Sequence, residues 1–569
     1  MPRFPVVLAA LASFLQTVGC SDSPAAPPTL PPTLPPMGAE VPERADKPFV
    51  GQGTGGSGGS SAEDAVSMAG DAGTVGDAGH AATAVDAASP TSGTGATAGT
   101  GGTGGDSGPS GGSAAKDGGG PTHGGFPELT ELKAFPTAEG YGRLAEGGRG
   151  GRVIEVTNLR DSGPGSLRHA VEATGPRTVV FRTSGVIELE SKLLVTGTLG
   201  NGYLTIAGQT APGKGILVRG WTVGMIGGEH VVVRFIRTRI GTATGKTMDG
   251  MGMASADNAI FDHCSISWTI DEAFSSRGAK NVTLQRTLIS EALNEAGHSK
   301  YPAGTQHGYA ASIGGDIGSF HHNLLAHCAG RNWSLAGGLE HGTTRYAGRL
   351  DIRNNVVYNW KSRTTDGGAH EVNFVNNYYK PGPATEVFVA LNAQNDGFEG
   401  TQRYYFAGNV MPGVFDESNQ EKGRRASGQE RSYDPWVDRP FFESYVTTHT
   451  AGEAFEDVLA DVGCNVPMLD DHDRRILEET RTGTHTYEGS RTGLPGLPDN
   501  ENDVGGYEEY PVVTRPADWD VDQDGMPGAW EEAHGLDPGD PADGNATTLS
   551  SVGYTNLEMY LNELAGDFQ

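Results

Sequence analysis

From about residue 126 the chain alternates short apolar phrases with turn residues, and the phrases read as strands. TVVFRT (178–183), YLTIAG (203–208), HVVVRFIRTRIG (230–241), NAIFDHCSIS (258–267) and NVTLQRTLIS (281–290) are followed by SFHHNLLAH (319–327), LDIRNNVVYNW (350–360), EVNFVNNYY (371–379) and RYYFAGNVM (403–411). Val, Ile, Tyr and Phe suit a pleated, half-buried surface, whereas the Gly, Asp and Asn between phrases suit turns. Laid over one another, the phrases bring Cys264, Thr287, Asn323, Asn355, Asn377 and Asn409 to equivalent places, with steps of 23, 36, 32, 22 and 32 residues. Irregular steps with a floor near 22 predict stacked coils carrying loops of varying length. An Asn at one corner of each coil can satisfy backbone groups of its own and the adjacent rung. An antiparallel sandwich would need hairpin turns every ~8–12 residues, and the chain does not supply them. The expected fold class is all-β: a right-handed parallel β-helix with a small C-terminal EF-hand-like calcium module.

The flanks follow other patterns. Residues 1–20, MPRFPVVLAALASFLQTVGC, carry one basic residue, Arg3, and an apolar run from Val6 to Leu15 that is too short to span a bilayer. An export signal is expected, ending at Cys20. Its Val-Gly-Cys setting resembles a bacterial lipoprotein box, and both lipidation of Cys20 and plain secretion fit it. Residues 21–125 are Pro-rich, then Gly/Ala/Ser/Thr-rich and almost without aromatics. They cannot bury enough apolar area to offset chain entropy, so a disordered linker is expected. Residues 126–440 are the predicted catalytic β-helix, 441–516 a peripheral wrap, and 517–569 the acidic module. No later segment is apolar and long enough to cross a membrane, so membrane contact is expected only through lipid on Cys20. The expectation is an exported monomer, secreted or anchored to a bacterial cell surface or outer membrane.

Charge and cysteines refine this outline. The formal charge of −29 divides into 4 basic and 11 acidic residues up to Gly125, 32 and 31 from Phe126 to Pro440, and 5 and 28 from Phe441 onward. The middle block can meet a polyanion; the tail would repel one unless metal ions neutralise it. No nucleic-acid partner is expected. Cys20, Cys264, Cys328 and Cys464 are too few for a disulfide framework, and no CxxC spacing suggests zinc. Cys264 and Cys328 each follow a His on a predicted strand and are read as buried free thiols.

The chemistry is concentrated between Asp249 and Trp333. Asp249 lies 13 residues before Asp262, and Asp271 lies 9 after it. On a coil of about 22 residues Asp249 and Asp271 are one turn apart, so they are expected on one face. Cleaving a uronan by β-elimination requires the proton at C5, α to a carboxylate, to be acidified by neutralising that carboxylate, and a base in reach. Calcium takes oxygen ligands and can bridge protein and substrate carboxylates. Acids in adjacent coils with Arg or Lys nearby are the pattern such chemistry needs. A separate pattern closes the chain: Asp520, Asp522 and Asp524 at loop positions 1, 3 and 5, Gly525 at 6, Met526 at 7 offering a carbonyl, and Glu531 at 12. This is the EF-hand ligand set, and a structural calcium site is expected there. GYTNLEMYLNELA (553–565) reads as a helix that the loaded loop caps.

Between residues 135 and 413 the phrases YLTIAGQTAPGKGI, FDHCSISW, RNNVVYNW and VNNYYKPGPAT, in this order, resemble the family 1 polysaccharide lyases, the pectate lyases. The resemblance implies a right-handed parallel β-helix and calcium-dependent β-elimination on pectate, an acidic plant polysaccharide, giving 4,5-unsaturated products. It implies calcium ligands at Asp249 and Asp271. The family's further acid falls on Ser275 here, with Glu272 as the available substitute. Asp262 and His263 belong to the family's DHCS phrase and are read as scaffold. Lys300 falls where the family carries a substrate-binding lysine, with His307 as its rival. Arg331 falls where the family places a proton-abstracting arginine. A guanidinium is almost always charged, so base and electrostatic clamp both stay open for it. The family's Pro and second Arg are replaced by Trp333 and Ala336, and Arg345 or Arg349 is expected to restore the lost charge. Two alternatives are a β-helix hydrolase of polygalacturonase type and a non-catalytic polysaccharide-binding surface protein. The first is suggested by HGYAASIGG (307–315) but needs closely paired aspartates to activate water, and none precede His307. The second is motivated by Trp333, Ala336 and Ser275.

Overall fold

The computed structural model describes residues 122–123, 125–337, 348–395, 400–428 and 433–568. The leader, Cys20 and nearly all of the 21–125 linker lie outside the described residues. Three parallel sheets of 11, 8 and 9 strands run between Arg152 and Val437. Each central coil sends one strand to each sheet, and successive coils pair in parallel. The result is a right-handed parallel β-helix, the hand that twisted strands impose on parallel crossovers.

Alternation along the strands builds the core. Ile206, Val233, Phe261, Leu284, Phe320, Ile352, Phe374 and Phe406 stand in register on successive strands of the 11-stranded sheet. All are buried in one interior cluster. At the corner after this sheet the expected Asn ladder is present. The Oδ1 atoms of Asn323, Asn355, Asn377 and Asn409 accept the backbone N–H groups of Thr287, Asn323, Asn355 and Asn377 at 2.9, 3.1, 3.1 and 2.9 Å. Each Asn Nδ2 donates back to a strand carbonyl, such as Leu284 or Phe320. The residues before these steps, His263, Arg286, His322, Asn354 and Asn376, have φ between 46° and 53°, and Gly408 has φ 68°. A left-handed turn costs an L-residue about 1–2 kcal/mol, and the ladder's fully satisfied hydrogen bonds offset that cost.

Two of the three faces are covered. Helices Ala451–Ala460 and Asp471–Thr482, N-capped by Thr450 and Asp470, press Val458, Leu459 and Ile476 onto Leu288, Leu324 and Val356 of the eight-stranded sheet. Buried Arg237 and Arg239 of that sheet pair with Asp470 and Asp473. The 11-stranded sheet is covered by Phe135 and Ala138, which pack on Val232 and Ile260, and by the C-terminal helix Asn556–Ala565. The residues after 516 are therefore docked on the β-helix, where the sequence suggested a separate module. Leu557, Tyr560 and Leu561 need an apolar partner and find Ala207 and Val153. Arg234 forms ion pairs with both Asp262 and Asp567. The acidic loop does not cap this helix; Thr555 and Glu558 do so as a capping box, while the loop runs into Gly528–His534. Among the described residues the helix that shares an apolar cluster with the nine-stranded sheet is Leu167–Glu172, beside its edge strand Leu193–Thr196. Cys264, Cys328 and Cys464 are free and buried.

Candidate active site

The nine-stranded sheet passes through Met251–Ala254, Phe274–Ser275, Ala311–Ile313 and Ser334–Gly337 on successive coils. The segments leading into these strands carry the chemistry. Met251 pairs with Phe274, and just before that pair the Asp271 N–H donates to the Met248 carbonyl at 3.2 Å, which sets Asp271 and its neighbour Glu272 beside Asp249 on the adjacent coil. Asp249, Asp271 and Glu272 each bring a carboxylate oxygen within 4.8 Å of the others, and they are only 7, 6 and 6% exposed.

Arg331 sits at a left-handed corner with φ 50°, which directs its guanidinium at the acids. Its Nη1 forms an ion pair with Glu272 Oε1 and lies 3.4 Å from Ser312 Oγ. Ser312 donates to Glu272 Oε1 at 3.0 Å and accepts from Arg277 Nη2 at 3.1 Å. The guanidinium groups of Arg331 and Arg363 lie 4.8 and 5.1 Å from the Tyr309 ring centre, and Arg363 grips Asp366 with two bonds of 2.7 and 2.6 Å. Ser275, Ser312, Ser334, Asp366, Asn392 and Arg425 follow one another in register along the sheet, from the acids past Arg331. Their neighbours Phe274, Leu335 and Leu391 point into the core, so this polar row faces outward. A cavity of about 210 Å³ lies against its far part, lined by Arg363, Asp366, Asn392, Gln394 and Arg425.

Two histidines stand behind the acids. His298 Nε2 is 3.4 Å from Asp271 Oδ1. Its Nδ1 accepts the Lys300 N–H at 3.2 Å, which leaves Nε2 as the nitrogen carrying the proton toward Asp271. The His307 ring lies 4.2 Å from those of His298 and Tyr309. Burial pushes its pKa down to about 4, with Asp271 acting the other way and His298 and Arg363 adding to the fall. It is a neutral imidazole near pH 7. Burial works against the Asp271 charge, but the His298 hydrogen bond and the nearby His307 and Arg331 outweigh it, and its pKa lies below the usual carboxylate range.

The other expected residues divide. Lys300 lies in an exposed turn. His307 is buried, 4% exposed, so it backs the site where a surface contact was expected. Arg349 is on the 11-stranded sheet, ion-paired with Asp316, which engages its charge away from the acids; Arg345 lies outside the described residues. Trp333 is in the core against Phe320. Asp262 and His263 are scaffold: Asp262 accepts from Arg234, Gln285 and His263 at 2.7, 2.8 and 2.8 Å. Sequence reading missed Arg277, His298, Ser312 and Arg363. Arg363 had a usable signal, since it follows Arg331 by 32 residues, the step from Asn323 to Asn355.

No protein-family model matches the chain. It is 34% identical over 445 residues to a protein of Aspergillus terreus named probable pectate lyase C, covering 77% of this chain and 95% of that one. It is 33% identical over 447 residues to the probable pectate lyase C of Aspergillus fumigatus, covering 77% and 94%. Solved structures with some likeness include the pectate lyase Bsp165PelA from Bacillus sp. N165 in complex with trigalacturonate (TM-score 0.38, 14% identity, 58% of this chain and 99% of that chain). Another is the cedar pollen allergen jun a 1 (TM-score 0.38, 15% identity, 57% and 92%).

Proposed function

This chain belongs to the pectate lyase family, and we propose that it cleaves pectate by calcium-dependent β-elimination on the nine-stranded sheet, leaving 4,5-unsaturated ends. The observation that carries this reading is the convergence of three buried carboxylates, Asp249, Asp271 and Glu272, beside Arg331. An oxygen-only donor set at this spacing fits a hard divalent cation. When bound there, calcium supplies neutralisation of the substrate carboxylate and so acidifies the C5 proton.

The chain's own groups do the rest. As the C5–H electron pair becomes the C4=C5 bond, the C5 proton passes to solvent water in the groove, the C4–O bond breaks and the departing oxygen takes a proton back from water. Arg331 serves this step at C5. Its pairing with Glu272 favours the charged guanidinium, which supports a clamp on the developing carbanion over proton removal by Arg331 itself. Ser312 and Arg277 hold Arg331 and Glu272 in place. His298 orients Asp271 through its protonated Nε2. Arg363, Arg425 and the polar row extend the positive, hydrogen-bonding surface along which an acidic chain lies, with Lys300 in the exposed turn beside His298. The leader pattern of residues 1–20 supports export.

The test is incubation of the purified protein with polygalacturonate, with calcium and with chelator. Ultraviolet-absorbing unsaturated ends that form with calcium and cease with chelator are the expected result. Reducing ends without that absorbance mean hydrolysis, and binding without product means a non-catalytic protein; either overturns the reading.

A further inference from the structure

The structure assigns a second, calcium-type cation site to the loop Asp520–Glu531 completed by Asp543, a residue from outside the loop, and gives it the task of fastening the C-terminal helix to the first coils of the β-helix. Asp520, Asp522 and Asp524 bring one oxygen each within 4.8 Å of one another. The loop's own backbone uses part of this set. Asp520 accepts from the N–H groups of Gln523 and Gly525 at 2.8 and 3.0 Å, and Asp524 Oδ1 accepts from Met526 N–H at 2.9 Å. Gly525 has φ 95°, the turn that this loop position requires.

Both oxygens of Asp522, Asp524 Oδ2, both oxygens of Glu531 and Asp543 Oδ1 are shielded from solvent and have no hydrogen-bond partner. Glu531 and Asp524 are 0 and 4% exposed. The charges acting on Glu531 are those of Asp524, Asp522, Asp543 and Asp520, all of one sign. Unpaired carboxylates out of water are among the costliest groups a fold can bury. An oxygen-only set of this charge matches a hard cation of calcium size.

Asp543 could not be read from the loop pattern. It lies 12 residues past Glu531, in a short turn, Asp543–Asn545, where its Oδ2 accepts the Asp537 N–H at 3.0 Å and Oδ1 is left over. The chain beside it runs against the loop: a Cβ on Gly544 would stand 2.4 Å from Asp524 Oδ2. The Asp543 carbonyl accepts from Asn556 Nδ2 at 2.9 Å, and Asn556 opens the C-terminal helix. On the other side, Gly525 is wedged between Leu557 and Val153. A cation held by both segments therefore joins the loop, the Asp543 turn and the helix into one unit on the 11-stranded sheet, away from the groove.

The test uses the full chain carrying Asp249→Asn and Asp271→Asn, so that failure of the groove reading is separate. Terbium luminescence sensitised by the nearby Trp530 and melting with calcium or chelator are the readouts. Calcium at about 100-fold over half-saturation is expected to raise the melting temperature by on the order of 5 °C. Adding Asp543→Asn should weaken half-saturation about tenfold by removing one charged ligand. Glu531→Gln should abolish the shift, and Asp522→Asn, at the less buried side of the loop, should reduce it if Glu531→Gln prevents folding. A melting shift that survives Glu531→Gln and Asp522→Asn overturns the site; unchanged affinity in Asp543→Asn overturns the role of Asp543.

Discussion

The Glu272 carboxylate is ion-paired with Arg331 and has an oxygen within 4.8 Å of those of Asp249 and Asp271. The pair joins the two halves of the proposed chemistry, since Glu272 belongs to the cation cluster and Arg331 to the reacting carbon. Ser312 touches both partners, so their geometry is set together. A substitution at either one is expected to change calcium dependence and turnover jointly.

Arg331→Lys is expected to lower kcat by about 100- to 1,000-fold with an unchanged melting temperature, because Lys keeps the charge but loses the planar fork. Initial rates of unsaturated-product formation across pH check it. Activity near that of the parent would move the C5 role elsewhere, with Lys300 next in line.

Asp249→Asn and Asp271→Asn should each raise the calcium concentration needed for half-maximal rate, by about 10-fold or more. Glu272→Gln should do so too and also lower kcat, since it frees Arg331. Rates titrated with calcium separate the three. If Glu272→Gln shifts kcat alone, Glu272 is a partner of Arg331 and not a ligand.

His298→Gln tests the residue behind Asp271. The expectation is that about 10-fold more calcium is needed for half-maximal rate, with kcat at saturating calcium retained. A loss of kcat with calcium dependence unaltered would contradict positioning through Asp271.

His263 offers a pH test of the scaffold. Burial opposes its charge, but Asp262 and then Asp461 more than offset this and raise its pKa from 6.5 to about 9. A raised pKa means stability that is fully present below pH 6.5 and is lost as pH rises through about 9. Asp461, held down to about 2, stays charged throughout that window. His263→Asn keeps a residue suited to the left-handed corner. The melting-temperature gap between parent and variant should be widest at low pH and close toward alkaline pH; a constant gap would show that the charge does not contribute.

Truncation after Pro516 removes the helix that covers Ala207 and Val153 and breaks the Arg234–Asp567 pair. We expect a loss of more than about 3 kcal/mol, since that pair is buried, together with lower solubility. Chemical denaturation of the two chains measures it. A truncated chain with full stability would mean that the tail rests on the β-helix without supporting it.

Much of this architecture is written in the sequence because a β-helix repeats. The alternation of Val, Ile and Phe specifies strands, and the steps between Asn323, Asn355, Asn377 and Asn409 specify coils, because each Asn must reach the backbone of the next rung. The same spacing brings Asp249 and the Asp271–Glu272 pair to one face. What spacing leaves open is which neighbouring side chains join the cluster: Glu272, next to Asp271, turns its carboxylate into it and onto Arg331. Tertiary structure also decides which charges meet. Arg349 turns to Asp316 on another sheet, whereas Arg363, on a later coil, comes over Tyr309 beside Arg331. The turn Asp543–Asn545, which no loop pattern describes, runs beside Asp524 of the acidic loop, and Asp567 reaches Arg234 from 333 residues away. Local pattern determines which residues lie on the same face of a coil; contacts between distant segments depend on how apolar surfaces such as Leu557 and Ala207 find cover, and that is settled by packing alone.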